Sequence, residues 1–186
     1  GFTAYSEGAN KEALRHIVGV QFRNLATVGG SVFGRFGFSD VLTLLLVMDS
    51  YVELYKGGIV PVADFVNMPY DRDILVRVIV KKTAAHYSYK SVRISKTDFP
   101  VLTCAAALTQ EGVQAAVGAR PAKAALVKDA EQLATLPMTA EKAQAFAEYA
   151  AGLLPTETNP RGSAAYRTHL IKVLTARCLT ELGGKA

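Results

Sequence analysis

The segment Thr27-Val28-Gly29-Gly30-Ser31 is the part of the sequence whose residue types most clearly suggest chemistry. Consecutive glycines let backbone N–H groups approach a phosphate closely, and a hydroxyl such as that of Thr27 or Ser31 can add a donor. A little further on, Ser39-Asp40 has the composition of a helix start, with Ser39 as N-cap and Asp40 in the first turn. The spacing alone leaves a plain turn as the alternative, because Gly-Gly pairs also occur in turns that bind nothing.

Other patterns of catalytic or metal-binding residues are absent from the sequence. It contains no Walker loop, GxGxxG, HExxH or GxSxG motif. The three histidines, His16, His86 and His169, are far apart and do not predict a metal site, which needs several converging ligands. The two cysteines, Cys104 and Cys178, lie in apolar surroundings and are expected to be buried free thiols in a reducing compartment. We therefore expect neither a catalytic residue nor a metal ligand.

Composition limits the classes of function. Half of the 186 residues are apolar and a fifth are charged, which is typical of a chain with a packed core. The longest apolar run, Val41 to Met48, is far shorter than the roughly 20 residues of a bilayer span. The N-terminus has no secretion signal, so a cytoplasmic location is expected. The chain begins with Gly1 and not with Met, which suggests a fragment.

The net charge of +5 raises the hypothesis of nucleic-acid binding. The basic residues are scattered, and the only dense patch is Lys81-Lys82 followed by Lys90, Arg93 and Lys96. A solvated face, or a groove for one anionic cofactor, explains this patch better than a nucleic-acid surface does. We expect no nucleic-acid partner.

The elements that must position these residues mix helices and strands. Apolar periodicity, glycine turns and capping residues define the boundaries in the first part of the chain. The predictions there are a helix at 10–18, a loop at 21–31, a buried helix at 39–48, strands at 51–55 and 59–62, a helical turn at 63–66, and strands at 74–80 and 86–93.

The character of the sequence changes around Lys96 to Pro100. A second hairpin, rich in alanine, is predicted at 101–109 and 113–119, and three helices are predicted at 122–133, 140–153 and 162–179. We expect an α+β chain with domains at residues 1–83 and 84–186, the second being a small antiparallel sheet packed on a three-helix C-terminal part.

The wider sequence around the glycine pair resembles the medium, FAD-binding subunit of the xanthine dehydrogenase and carbon monoxide dehydrogenase family, which contains molybdenum hydroxylases. That family has an Arg-Asn-x-Ala-Thr-Ile-Gly-Gly-Asn string, a Ser-Asp pair and a Leu-Leu helix in the same order. Its other motifs are similar to segments further along this chain. The matching segments are Gln21–Val32, Phe38–Asp40, Leu44–Leu46, Tyr51–Leu54, Asp73–Leu75, Tyr89-Lys90, Asp98–Val101 and Arg161–Arg167.

The resemblance implies a role for each matching residue. Thr27, Val28, Gly29, Gly30 and Ser31 would wrap the FAD pyrophosphate, and Asp40 would hydrogen-bond the nucleotide side of the cofactor. Ile74 and Leu75 would press on the isoalloxazine, and Lys90 would lie near the flavin or the phosphates. The alternatives are ordinary ones: strand core for Ile74 and Leu75, a helix-terminal charge for Asp40, and a surface position for Lys90.

Departures from the family pattern qualify this reading. Ser31 replaces the usual Asn, Gly37 stands where Pro is common, and Asn159 replaces an Asp. The family's first phosphate loop, an Ala-Gly-Gly-Thr-like turn in an N-terminal βαβ unit, has no counterpart, so residues 1–83 would be the C-terminal portion of an FAD-binding domain.

By resemblance, electrons would pass from a molybdenum centre through iron–sulfur clusters to FAD, and from FAD to NAD or another acceptor. The expected partners are an iron–sulfur subunit and a molybdopterin subunit, with a separate polypeptide that supplies the first FAD loop. The alternative is an assembly or interaction module, or a truncated fragment, that does not bind flavin.

Overall fold

A computed structural model describes all 186 residues, which form eight helices and seven strands in two antiparallel sheets. The helices are α1 (Phe2–Tyr5), α2 (Ala9–Leu14), α3 (Val20–Leu25), α4 (Val28–Phe33), α5 (Asp40–Leu46), α6 (Val62–Phe65), α7 (Ala140–Leu153) and α8 (Ala164–Gly183). The strands are β1 (Ser50–Leu54), β2 (Gly58–Pro61), β3 (Leu75–Val80), β4 (Ala85–Val92), β5 (Leu102–Thr109), β6 (Gly112–Gly118) and β7 (Ala125–Lys128). The α+β class expected from the sequence is confirmed. None of the helices has the length and apolar composition needed to cross a membrane.

Helix α5 lies at the centre of the first core. Ser39 caps it as predicted, because its hydroxyl accepts a hydrogen bond from the Leu42 amide at 3.2 Å. All but one of the helix residues are buried. The adjacent sheet has the strand order β2-β1-β3, and the predicted hairpin pairs Val52 with Val60. Because Val52 and Leu54 face inward, this sheet packs into the same core as α5.

The second sheet, β4-β5-β6-β7, contributes one face to each of two cores. Ala105 and Ala107 on β5 pack with Tyr89 and α5 in the first core. Cys104 and Ala106, which alternate with them, pack against α7 and α8 in the second core. Successive strand residues point to opposite faces, so a strand of small residues lets helices approach from both sides. This explains the alanine-rich sequence of the predicted hairpin.

Two of the predicted elements are wrong. The helix expected at 122–133 is absent, because Ala125–Lys128 extends the sheet as β7 by pairing with β6. The C-terminal part therefore has two helices rather than three. The loop expected at 21–31 is largely helical, since α3 and α4 occupy most of it. The first predicted helix is also shorter than expected and ends at Leu14.

Arg167 holds the start of α8 against the second sheet. Its side chain is completely buried, although arginine is normally exposed on a helix. A buried guanidinium requires acceptors for its fork of donors, and here they come from three segments of the chain. The acceptors are the carbonyl oxygens of Val101, Ala119, Glu157 and Gly162 and the side-chain oxygen of Asn159, at 2.6–3.1 Å.

Candidate functional site

A cleft of about 520 Å³ lies beside the glycine pair. Thr27, Gly30 and Ser31 line one side, and Asp40 lies at its base with Arg93. The other walls come from segments distant in sequence, including the C-terminal half. They are residues 16–18, Phe22, Ala26, Phe36, Phe38, Ser39, residues 97–100 and Arg161. The cleft thus combines a glycine turn, aromatic rings and two guanidinium groups.

The segment Thr27 to Ser31 forms the first turn of α4. Thr27 is the N-cap, and its hydroxyl accepts a hydrogen bond from the Gly30 amide at 3.0 Å. The amides of Val28 and Gly29 occupy the first helical positions, where a helix provides no acceptor of its own. Both glycines leave the backbone uncovered by side chains. The segment can therefore present free N–H groups to an anion, although the Gly30 amide is already engaged.

The carboxylate of Asp40 is fully engaged within the protein. Arg93 donates to both of its oxygens at 2.7 Å, and the Tyr89 hydroxyl donates to one of them at 2.5 Å. The Asp40 and Arg93 side chains are 6% and 7% exposed, so this is a buried ion pair. Burial, with the Asp40 charge, raises the pKa of Tyr89 well above its usual value, which keeps the hydroxyl protonated as a donor. The predicted contact of Asp40 with a nucleotide remains a prediction.

Arg93 connects this pair to the loop that follows β4. Its Nε donates to the Asp98 carbonyl at 3.1 Å, and Nη1 donates to the Ser91 hydroxyl at 2.6 Å. Arg161 in turn pairs with the Asp98 carboxylate at 3.0 Å, and this hydrogen bond lowers the pKa of Asp98. A single network therefore fixes the loop wall of the cleft against the start of α5. The motif Asp98–Val101 indicated this region, but the sequence did not assign Arg93 or Arg161.

Ile74 and Leu75 lie on the other side of the glycine turn, outside the cleft. Leu75 is the nearest neighbour of Gly29, since a Cβ added at Gly29 would lie 3.8 Å from the Leu75 side chain. Ile74 is 66% exposed. Asp73 holds this strand start by accepting hydrogen bonds from the amides of Lys56, Gly57 and Ile74 at 2.7–2.9 Å. The structure places an exposed apolar edge beside the glycine turn, and its contact with a flavin ring remains a prediction.

Lys90 is the one candidate that the structure places away from the others. Its Nζ is 2.7 Å from the Glu181 carboxylate on α8, and it does not line the cleft. Partial burial lowers the pKa of Lys90, but the Glu181 carboxylate outweighs this effect and raises it overall. A role near the flavin or the phosphates remains a prediction and would require this ion pair to open.

His16 adds a polar edge to the cleft. Its Nε2 accepts a hydrogen bond from Arg15 at 2.9 Å, while the buried Nδ1 has no protein partner. Burial and the Arg15 charge lower the pKa of His16, so the ring is neutral at pH 7. His16 therefore contributes a neutral imidazole ring to the wall of the cleft.

Family models match almost the whole chain. The model described as the FAD binding domain in molybdopterin dehydrogenase matches residues 3–83. The model described as the CO dehydrogenase flavoprotein C-terminal domain matches residues 87–182, more than half of the chain. These matches include the glycine turn and the segment with Arg93 and Arg161.

The sequence is similar to a protein of Escherichia coli named Uncharacterized protein YgfM, found in strain K12 and in O157:H7. The two are 29% identical over 169 residues, which is 90% of this chain and 62% of the relative. The chain therefore spans less than two thirds of the length of the curated relatives it matches.

Solved structures share the fold. Carbon monoxide dehydrogenase from Hydrogenophaga pseudoflava superposes with a TM-score of 0.87 over all of this chain and 70% of the other. Quinoline 2-oxidoreductase from Pseudomonas putida 86 gives a TM-score of 0.79 over all of this chain and 72% of the other. The carbon monoxide dehydrogenase of Oligotropha carboxidovorans gives 0.82. All three are 21% identical to this chain, a level at which the likeness establishes the fold alone.

Proposed function

Because this chain belongs to the family of FAD-binding subunits of molybdenum-containing dehydrogenases, we propose that it forms one wall of an FAD site in an electron-transfer subunit. The observation that supports the proposal is the cleft itself, in which the glycine turn, His16 and Arg161 meet although they are distant in sequence. When bound, FAD supplies the electron-transfer chemistry, and the protein contributes binding, orientation and electrostatics.

The residues present fit a dinucleotide cofactor. Gly29 and Gly30 expose the backbone of a helix start, which suits a pyrophosphate. Phe36, Phe38 and Phe99 provide aromatic surface, and Arg161 provides a cation beside it. The apolar Ile74 and Leu75 border the turn on its other side. The cleft volume of about 520 Å³ suits only part of a molecule as long as FAD.

Each group of the proposed site, in the cleft or beside it, has a physical task in this proposal. The Val28 and Gly29 amides bind the pyrophosphate, and Thr27 keeps the turn in place through its cap on Gly30. Asp40 acts as a positioning residue, because it holds Arg93 and thereby the loop that carries Phe99. Ile74 and Leu75 exclude water from one side of the isoalloxazine.

The wider assignment follows the family. We place the chain in a cytoplasmic complex with an iron–sulfur subunit and a molybdopterin subunit, in which electrons leave FAD for NAD or another acceptor. The free, buried Cys104 and Cys178 support a reducing compartment. The alternative is an assembly module that binds no flavin.

The test is the binding of FAD to the purified chain, measured by flavin absorbance and fluorescence. We expect bound flavin, and we expect Gly30→Ala to weaken its binding about tenfold. A Cβ at Gly30 would lie 3.1 Å from the Thr27 hydroxyl and would cover part of the cleft wall. A tenfold loss corresponds to about 1.4 kcal/mol, the strength of one hydrogen bond to a charged group.

Gly152→Ala is the matched control. Gly152 lies on α7 with nothing within 4 Å of an added Cβ, and we expect FAD binding to be unchanged in this variant. If the folded wild-type chain binds no FAD, the assembly-module alternative is favoured. If Gly30→Ala and Gly152→Ala bind FAD equally well, the glycine turn is not part of the site.

A further inference from the structure

Three phenylalanines form an exposed aromatic cluster on one wall of the cleft. The rings of Phe36 and Phe38 stack with centroids 5.2 Å apart and an interplanar angle of 8°. Phe99 meets Phe38 edge-on at 4.6 Å, and the Arg161 guanidinium lies 5.1 Å from the Phe99 ring centre. We call Phe36, Phe38 and Phe99 the aromatic shelf. Exposed phenylalanines that are already ordered against each other offer a flat surface for a further ring.

The backbone around the aromatic shelf is built to hold these rings in place. Arg35 adopts a left-handed conformation with φ +48°, which is costly for a residue with a side chain. Its buried side chain compensates by donating to the carbonyls of Met68 and Pro69 at 2.8 and 2.9 Å. The Arg35 guanidinium also lies 4.1 Å from the centre of the Phe65 ring. The strained residue thus fixes the point at which the chain turns toward the cleft.

Two glycines leave the space that the placement of the aromatic shelf requires. A Cβ at Gly34 would lie 2.5 Å from the Phe36 ring, so the ring rests directly on this glycine. A Cβ at Gly37 would lie 2.0 Å from the Ala122 carbonyl oxygen, so the loop packs tightly against the C-terminal half. Despite this ordering, Phe36, Phe38 and Phe99 are 53%, 39% and 48% exposed. Rigid placement of exposed aromatic rings favours a binding function over a packing function.

We propose that the aromatic shelf stacks the adenine ring of the dinucleotide, so that this chain binds the ADP half of FAD. This inference rests on the proposed FAD site and makes it more specific. Gly30 and the aromatic shelf line the same cleft, whereas Ile74 and Leu75 do not line it, and Leu75 lies next to Gly29. With the pyrophosphate at the turn, the isoalloxazine extends toward Ile74 and Leu75, and the adenosine extends along the cleft to the shelf. Arg161, whose guanidinium pairs with Asp98, is the cation beside the aromatic shelf.

Separate halves of the cofactor test this assignment. ADP and FMN are titrated separately into the full 186-residue chain. Binding is measured by calorimetry and by the NMR shifts of the adenine protons. We expect ADP to bind with upfield adenine shifts from ring currents. Phe36→Leu keeps the apolar volume but removes the ring, and should weaken ADP binding about tenfold with little change for FMN, given the usual strength of base–aromatic stacking. Phe36→Tyr should bind ADP nearly as well as the wild type.

Phe2→Leu is the control for loss of a phenylalanine, because Phe2 is 42% exposed and lies outside the cleft. Unchanged ADP binding in Phe36→Leu and in Phe99→Leu overturns the shelf assignment, and intact FAD binding in these variants would leave the proposed function standing. Equal losses for FMN and ADP also overturn it. Shelf-dependent ADP binding without FAD binding supports the shelf and contradicts the flavin function of the chain. A wild-type chain that binds neither ADP nor FAD contradicts both.

Discussion

At the scale of single residues, buried charges define the cleft more than the glycines do. Asp40 was expected to contact a cofactor, and in the structure its oxygens accept hydrogen bonds from Arg93 and Tyr89. The cofactor contact stays a prediction. Removing one member of a buried pair leaves the other charge without compensation. The position of Asp40 in the first turn of α5 adds a favourable interaction with the helix dipole.

We predict that Asp40→Asn lowers the free energy of unfolding by about 3 kcal/mol or more, because the Arg93 guanidinium stays buried without a counter-charge. Urea unfolding followed by circular dichroism measures this change. Replacing both members, as in Asp40→Asn with Arg93→Met, should recover part of the loss. Glu53→Gln, which breaks the exposed ion pair with Arg77, is the control and should cost less than about 1 kcal/mol. A loss for Asp40→Asn no larger than that of the control would contradict the prediction.

Sequence reasoning found Asp40 but not its partners, and the reason is physical. A Ser-Asp pair before an apolar run is a local signal for a helix start. The contact with Arg93 spans 53 positions in sequence and depends on how helix α5 packs against the second sheet, which no local pattern encodes. The burial of Arg167 escapes local patterns for a similar reason, because a charged residue on a helix is normally exposed unless distant carbonyls converge on it.

At the scale of elements, the junction of α5 with the second sheet leaves no room for a side chain at Gly118. A Cβ added at Gly118 would lie 2.6 Å from the Gly37 carbonyl, the Thr103 hydroxyl and the Thr43 hydroxyl. Thr43 and Thr103 share a buried hydrogen bond of 3.0 Å at the same point. A glycine at the end of β6 thus permits contact between α5, β5 and the loop that carries the aromatic shelf.

We predict that Gly118→Ala destabilises the protein by about 1–3 kcal/mol or more, because the added carbon overpacks this junction. Gly152→Ala should instead stabilise it by up to about 1 kcal/mol, since the site is open and alanine favours a helix. Thermal unfolding of the two variants beside the wild type measures both effects. Equal melting temperatures for all three proteins would show that the junction can relax.

The prediction of helices and strands succeeded where the sequence pattern is local. It failed where the conformation of a segment depends on pairing with another part of the chain. The hairpin of β1 and β2 and the long helices α7 and α8 carry their own periodicity, and the structure has them where they were expected. Ala122 to Leu133 has the composition of a helix, but β6 offers an open edge and the segment pairs with it. The segment 21–31 is helical because Thr27 caps a turn that the glycines had suggested would stay open.

At the scale of the whole molecule, a chain of ion pairs joins the N-terminal helices to the C-terminal end of α8. Glu7 lies 2.6 Å from His86 and 3.3 Å from Lys185. Lys185 contacts Glu181 at 3.1 Å, and Glu181 contacts Lys90 at 2.7 Å. These contacts join the turn between α1 and α2 to β4 and to the C-terminal end of α8. The network explains the position of Lys90 without a cofactor, and it makes the fold sensitive to acid.

We predict that this network makes the melting temperature fall as the pH drops below about 5. Burial would raise the pKa of Glu7 and Glu181, but hydrogen bonds from His86, Lys90 and Lys185 outweigh it and lower both values. A carboxylate whose pKa is lower in the folded state adds stability above its unfolded pKa of about 4.3, and that stability is lost as the pH falls through the folded pKa. Glu7→Gln with Glu181→Gln should therefore melt at a lower temperature at pH 7 and show a shallower decline in acid than the wild type. Glu111→Gln is the control, because Glu111 is exposed and lies 3.8 Å from Lys128. If the melting temperature of the double variant declines in acid as steeply as that of the wild type, other carboxylates govern acid unfolding.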